Sequence, residues 1–157
     1  MDRIDKTNYY LDIAETILER GTCLRKNYGC IIVKNDEIIS TGYSGAPRNR
    51  KNCLDLGYCV KKKFYPDLRH GGYDACRSVH AEQNAILNAL KNGYDLSDST
   101  IYVTKSPCMI CAKLIINVGI KRVIYANKYP DEEAFKILKE AEVKTQYFEI
   151  GKIKEVI

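Results

Sequence analysis

His80-Ala81-Glu82-Gln83-Asn84-Ala85-Ile86 and Pro107-Cys108-Met109-Ile110-Cys111 are the stretches whose reading decides the fold. The first opens a helical pattern, with Glu82, Ala85, Ile86, Ala89 and Leu90 on one face and a stop at Asn92-Gly93. The second opens another, with Ile110, Leu114, Ile115 and Val118 on one face and a stop at Gly119. His80 therefore stands at one helix start, and Cys108 and Cys111 at the other. The C-x-x-C spacing lets both sulfurs face one point, where the positive helix end favours thiolate over thiol. One imidazole and two thiolates suit zinc, whose hydrolytic sites take three protein ligands and leave a fourth position for water. Glu82, two residues from His80, reaches the same place without being a ligand and is the candidate catalytic residue, since a carboxylate can both accept and donate a proton. H-x-E alone reads as a surface accident. C-x-x-C alone reads as a redox pair or half of a structural zinc knuckle, and a purely structural knuckle would leave Glu82 unexplained.

Outward from these helices, Ile101-Tyr102-Val103 and Arg122-Val123-Ile124-Tyr125-Ala126 read as strands. Asp131, Glu132 and Glu133 give an acidic start to a helix carrying Phe135, Leu138 and Ala141, and Tyr147-Phe148-Glu149-Ile150 reads as the last strand. Toward the N-terminus, Gly29–Val33 and Ile38–Tyr43 flank the polar Lys34-Asn35-Asp36-Glu37 and form a hairpin. Before them, Thr7 reads as the N-cap of a helix with Tyr10, Ile13, Ala14 and Ile17 inward and a stop at Arg20-Gly21. The order α-β-β-α-β-α-β-α-β implies an α/β domain over 1–157: a five-stranded mixed sheet with helices on its faces, its later strands made parallel by helical crossovers.

The 157 residues are 45% hydrophobic and 29% charged, with no run approaching the roughly 20 apolar residues of a membrane span. Met1-Asp2-Arg3-Ile4-Asp5-Lys6 lacks the layout of a signal peptide, so a cytoplasmic location and no membrane partner are expected. The net charge is +5, with clusters at Arg48, Arg50 and Lys51 and at Lys61, Lys62 and Lys63 that read as a solvated face or a phosphate-attracting one. Seven cysteines, an odd count without an export signal, favour metal ligation over disulfides. Residues 44–77 show no sustained period and hold three of those cysteines, as a long loop that needs a clamp would. Cys30, within a strand pattern, reads as core.

The H-x-E and P-C-x-x-C pair resembles the cytidine and deoxycytidylate deaminase superfamily, and the element order matches it across nearly the whole chain. His80–Ile86, Gly42-Tyr43-Ser44-Gly45-Ala46-Pro47, Arg122–Tyr125 and Lys128-Tyr129-Pro130-Asp131 are similar to its deoxycytidylate (dCMP) deaminase branch. The resemblance implies a three-layer α-β-α cytidine deaminase-like fold with the last two strands parallel. It also implies hydrolytic deamination of dCMP to dUMP for dTMP synthesis, with zinc held by His80, Cys108 and Cys111. By the same resemblance, Ala81 and Ser106 hold the pyrimidine edge, Tyr129 lines the base or sugar pocket, and Arg25 and Lys26 face the 5′-phosphate. Arg48 and Asn49 are further candidates for the phosphate. Ser44 stands where family members usually carry Asn, which bears on control by the effectors dCTP and dTTP more than on catalysis. A second, structural zinc on Cys23, Cys53, Cys59 and Cys76, with His70 as a substitute for one of them, is implied by some members of the branch. Buried small hydrophobes are the other reading of those cysteines. A homo-oligomer, commonly a hexamer, is expected on the same ground. The alternatives are deamination of tRNA adenosine, of dCTP or of cytidine, and an inactive zinc-stabilised nucleotide-binding module.

Overall fold

The computed structural model describes residues 3–68, 72–128 and 131–149. Strands β1 (Gly29–Lys34) and β2 (Glu37–Tyr43) pair antiparallel across a two-residue turn. Both turn residues, Asn35 at φ 51° and Asp36 at φ 62°, are left-handed, which matches the turn to the strands' own twist. A bulge falls between the pairs Ile32–Ser40 and Val33–Ile38. β1 also pairs antiparallel with β3 (Thr100–Val103), and β3, β4 (Arg122–Tyr125) and β5 (Lys144–Tyr147) run parallel. The sheet order is β2-β1-β3-β4-β5, so the expected mixed five-stranded sheet with a parallel last pair is present.

β1, β3 and β4 are apolar on both faces because helices cover both. On one face, helix α1 (Lys6–Leu18) lays Tyr10 and Leu11 against Ile31, Val33, Tyr102 and Ile124. On the other, α4 (Ala81–Lys91), α5 (Met109–Asn117) and α6 (Glu132–Glu140) pack Ala85, Ala89, Ile115 and Leu138 against Ile32, Ile101, Val103 and Val123. The result is three layers, α-β-α.

α4 sits unusually close to β2. A Cβ on Gly42 would lie 2.1 Å from the Ala81 carbonyl oxygen and 2.5 Å from the Ala85 nitrogen, so glycine is required there. The Ser40 hydroxyl donates to the Ala85 carbonyl (2.6 Å), and the Asn84 and Asn88 amides donate to the Tyr43 and Thr41 carbonyls (2.8 and 2.9 Å). Asn84 and Gly42, both quoted above for the resemblance, thus do one job: they dock the start of α4 on the sheet.

Three details differ from the sequence reading. Asp5, not Thr7, caps α1, its carboxylate accepting from the Asn8 N–H at 3.0 Å; Thr7 lies inside the first turn. β5 begins three residues earlier than expected, and Ile150, the end of the expected strand, lies outside the described residues. As an edge strand with all four residues exposed it lacks an apolar face, whereas Phe148 beyond it packs on the α1 side of the core. The loop after β2 is not structureless: it holds α2 (Cys53–Leu56), α3 (Val60–Phe64) and a 3-10 turn at Tyr73–Ala75. α2 is closed by reciprocal Asn52–Asp55 capping bonds of 2.9 Å and by left-handed Gly57.

Candidate active site

His80 is the N-cap of α4, its backbone N–H donating to the Gln83 side chain at 2.9 Å. Cys108 is the N-cap of α5, and Cys111 lies in the first turn of that helix. The start of α5 is held from α6: one Asp131 carboxylate oxygen accepts from the Met109 N–H (2.9 Å) while the other caps α6 at Ala134 (3.1 Å). The two helix starts meet on the sheet face that α4, α5 and α6 cover. Cys108 Sγ and Cys111 Sγ lie 3.5 and 3.3 Å from His80 Nδ1, and the three ligand atoms fall within 4.8 Å of one another. Among the described residues this is the one group of three or more His, Cys, Asp or Glu that could hold a metal ion. The donor set fits zinc, with three convergent soft and borderline donors on rigid supports.

Glu82 is 7% exposed and lies beside this group; burial pushes its carboxyl up to about 7 against the opposing pull of its own backbone N–H and of His80. The thiols share their protons unequally. Hydrogen bonding from Cys111 takes Cys108 down to about 4, and the same bond, with burial, pushes Cys111 up. Burial is the strongest single influence on His80 and works against its cation, but the bond to Cys108 and the charges of Glu82 and Cys108 together outweigh it and leave the imidazole raised. Tyr73, on the 3-10 turn, meets the His80 ring edge to face with centroids 4.6 Å apart.

His80, Glu82 and Cys108 open onto a cavity of about 400 Å³, a size suited to a small molecule. Of the residues expected to bind substrate, Arg25, Lys26, Ser44 and Ser106 line it. Ser44 spends its hydroxyl on the Tyr28 N–H (3.0 Å), and Ser106 spends its N–H on the Asn127 carbonyl (2.7 Å). Ala81 is buried at the first position of α4 and does not line the cavity; neither does Asn49 or Arg48, whose guanidinium donates to Asn88 (2.9 Å). Tyr129 and His70 lie outside the described residues.

Cys23, Cys53, Cys59 and Cys76 all line the same cavity, more loosely grouped than the His80 set. Burial, then the nearby Cys23, Cys59 and Cys76, push the Cys53 thiol up, while a Val60 N–H bond opposes this; the Arg25 N–H points at Cys23 Sγ from 3.4 Å. Cys30 is fully buried in the core, as its strand pattern implies. Sequence reasoning missed Tyr28, Tyr73, Arg77 and Lys105 and met Lys61 only as part of a basic cluster; all five line the cavity. Only Lys105 carried a local signal, its place beside Ser106-Pro107-Cys108.

Three convergent ligands, an adjacent buried carboxylate and an open cavity define a zinc-type hydrolytic centre on an α-β-α frame. The chain belongs to the cytidine and deoxycytidylate deaminase family: the family model for its zinc-binding region matches residues 4–127. Over 142 residues it is 34% identical to the deoxycytidylate deaminase of Saccharomyces cerevisiae, covering 90% of this chain and 44% of the yeast protein. Over 129 residues it is 36% identical to the deoxycytidylate deaminase of Mycobacterium phage D29, covering 80% of this chain and 97% of that one. The chain thus spans less than half of the yeast relative and nearly all of the phage one. The fold is similar to that of a dCMP deaminase from the cyanophage S-TIM5 in complex with dCMP and dUMP. The TM-score is 0.75 at 27% identity, over 94% of this chain and 100% of that one.

Proposed function

We propose that the chain hydrolyses dCMP to dUMP and ammonia. The observation that carries this is Glu82, a buried carboxylate beside the His80, Cys108 and Cys111 group that opens onto a cavity of about 400 Å³. The named activity of the relatives supports the same reaction. In it, His80, Cys108 and Cys111 hold zinc, which when bound acts as a Lewis acid that brings water to a reactive state near neutral pH. Glu82 takes one proton from the attacking water and delivers it to the ring nitrogen beside the reacting carbon, then takes the second proton from the newly added hydroxyl and passes it to the departing amine. The order balances: one water enters, its oxygen replaces the amino nitrogen, and ammonia leaves. Tyr73 keeps the His80 ring turned toward the sulfurs. Ser106 presents its carbonyl and hydroxyl side to the base, since its N–H is committed to Asn127. Arg25 and Lys26 attract the 5′-phosphate.

A second, structural zinc on Cys23, Cys53, Cys59 and Cys76 is part of the same reading. Four thiols lining the cavity, Cys53 close enough to feel the other three, with N–H groups directed at two of the sulfurs, support it. A cytoplasmic homo-oligomer, a hexamer as is common in the family, completes the proposal. Among the described residues no helix is long and apolar enough to cross a membrane.

The deciding experiment is a substrate panel on the zinc-loaded protein: dCMP, dCTP, cytidine and an adenosine-containing anticodon stem-loop, with dCTP and dTTP added as effectors. Preferential turnover of dCMP is expected. Rapid turnover of the stem-loop alone would sink the proposal.

A further inference from the structure

We propose that Lys105 determines specificity in this cavity: with Lys26 it forms the subsite for the substrate's 5′-phosphate. The inference rests on the nucleotide reading above and adds a residue that no motif singles out.

Lys105 sits on the connection from β3 to α5, three residues before Cys108. Its neighbours are fixed to the sheet. The Thr104 N–H donates to the Gly29 carbonyl (3.0 Å), and the Thr104 hydroxyl accepts from the Gly29 N–H (3.2 Å). The Asn127 amide donates to the Thr104 carbonyl (2.8 Å), and the Ser106 N–H donates to the Asn127 carbonyl (2.7 Å). With both flanking residues held, the Lys105 stem leaves a backbone that has little freedom to move. Its amino group lies 5.6 Å from the centre of the Tyr28 ring, over its face. Tyr28 is held in turn by Ser44 through two bonds of 3.0 Å to its backbone. A flexible side chain is thereby given one wall to lie along.

Lys26 lines the same cavity from the α1–β1 connection, near enough for its charge to be felt at Lys105. Partial burial, and then the charge of Lys26, make the Lys105 cation less favourable than it would be in water. An anion between the two ammonium groups converts their mutual repulsion into shared attraction. The cavity's charge pattern agrees. Arg25, Lys26, Lys61, Arg77 and Lys105 line it, and Glu82 is the one carboxylate among the lining residues. A dianionic phosphate ester suits the Lys26–Lys105 side, while the metal group takes the other end of the ligand. One loop then carries both a metal ligand and a phosphate contact, which fixes the distance between the reacting carbon and the substrate's charge.

The test uses the full-length, zinc-loaded chain and Lys105→Met, which keeps a stem to lie on Tyr28 but loses the charge. Calorimetry measures Kd for dUMP, deoxyuridine and inorganic phosphate, and kinetics give kcat and KM for dCMP. The preference for dUMP over deoxyuridine should fall at least tenfold, the scale of a lost charged hydrogen bond. KM should rise more than kcat falls, and Lys105→Arg should restore most of the loss. Equal weakening of dUMP and deoxyuridine, or loss of zinc, would show that Lys105 only shapes the loop. An unchanged preference would refute the phosphate contact. If inorganic phosphate binding alone responds, the site is a free-anion site and the proposal fails. Lys105→Gln serves where the Met variant does not fold. A wild-type protein that prefers dUMP to deoxyuridine without deaminating dCMP would overturn the proposed reaction while leaving the Lys105 comparison intact.

Discussion

Gly42→Ala is the sharpest test of how the fold places the chemistry. The new methyl would stand 2.1 Å from the Ala81 carbonyl oxygen and 2.5 Å from the Ala85 nitrogen, where ordinary contact begins near 3.4 Å. Both obstacles are helix backbone, which cannot rotate aside as a side chain would. Relief therefore requires more than about 1 Å of separation between β2 and the first turn of α4. That motion strains the bonds from Ser40, Asn84 and Asn88, and the combined cost is about 2–4 kcal/mol. For a chain of this size the melting temperature should drop by roughly 4–16 °C. His80 and Glu82 ride on the displaced turn, and an error of that size in a reacting group costs on the order of 100-fold in rate. Differential scanning fluorimetry and kcat at saturating dCMP, with bound zinc quantified alongside, measure both effects. Gly57→Ala is the control: its φ is +73°, but nothing lies within 4 Å of the new methyl, so the cost should stay near ~1 kcal/mol with kcat unchanged. A Gly42→Ala protein with its melting temperature within about 1 °C of wild type and kcat within about twofold would refute the reasoning.

Glu82→Gln should bind zinc at the wild-type level and lose about 10²–10⁴-fold in kcat, measured by ammonia release; zinc loss on that substitution would reassign Glu82. Atomic absorption on purified protein should find two zinc ions per chain, falling to one in Cys53→Ser with dCMP turnover reduced but detectable; one ion in wild type removes the structural site. Asp5→Ala should destabilise the chain by ~1 kcal/mol at pH 7 through loss of the α1 cap. The Asn8 N–H bond holds the Asp5 carboxyl below its ordinary value. Its contribution is therefore full above the unfolded pKa and is lost as pH falls through the lower folded one. In urea melts, the gap between wild type and Asp5→Ala should narrow below about pH 4; a gap that is constant with pH contradicts the assignment.

Much of this molecule was legible because its main signals are local. The helix starts at His80 and Cys108 were readable from spacing, and two ligand-bearing starts separated by one strand can meet only on one side of a sheet. The β1–β2 turn was equally plain at Asn35-Asp36. What escaped depends on contacts between distant segments. Lys105 and Tyr28 come together because the loops after β3 and before β1 adjoin across the sheet, a pairing that no periodicity announces. α2 is only one turn long and leaves no amphipathic trace, although Asn52, Asp55 and Gly57 mark its ends. β5 was placed late because Tyr147 and Phe148 look like a buried pair, whereas Tyr147 is the last rung of a ladder that begins at the polar Lys144, Thr145 and Gln146 on an exposed edge. Thr7 and Asp5 are both good caps by type, and only the bond to Asn8 separates them.

The division of the cavity between sheet-borne helices and the 44–77 loop has an evolutionary consequence. His80, Glu82, Cys108 and Cys111 stand on helix starts clamped by the layered frame, but Cys53, Lys61, Tyr73, Cys76 and Arg77 reach the same space from a segment whose described residues add no strand to the sheet. Lineages can therefore rewrite, lengthen or swap that segment while the bond-breaking apparatus is inherited intact. Grafting the 44–77 loop between relatives is accordingly a route to new substrate ranges on an unchanged chassis.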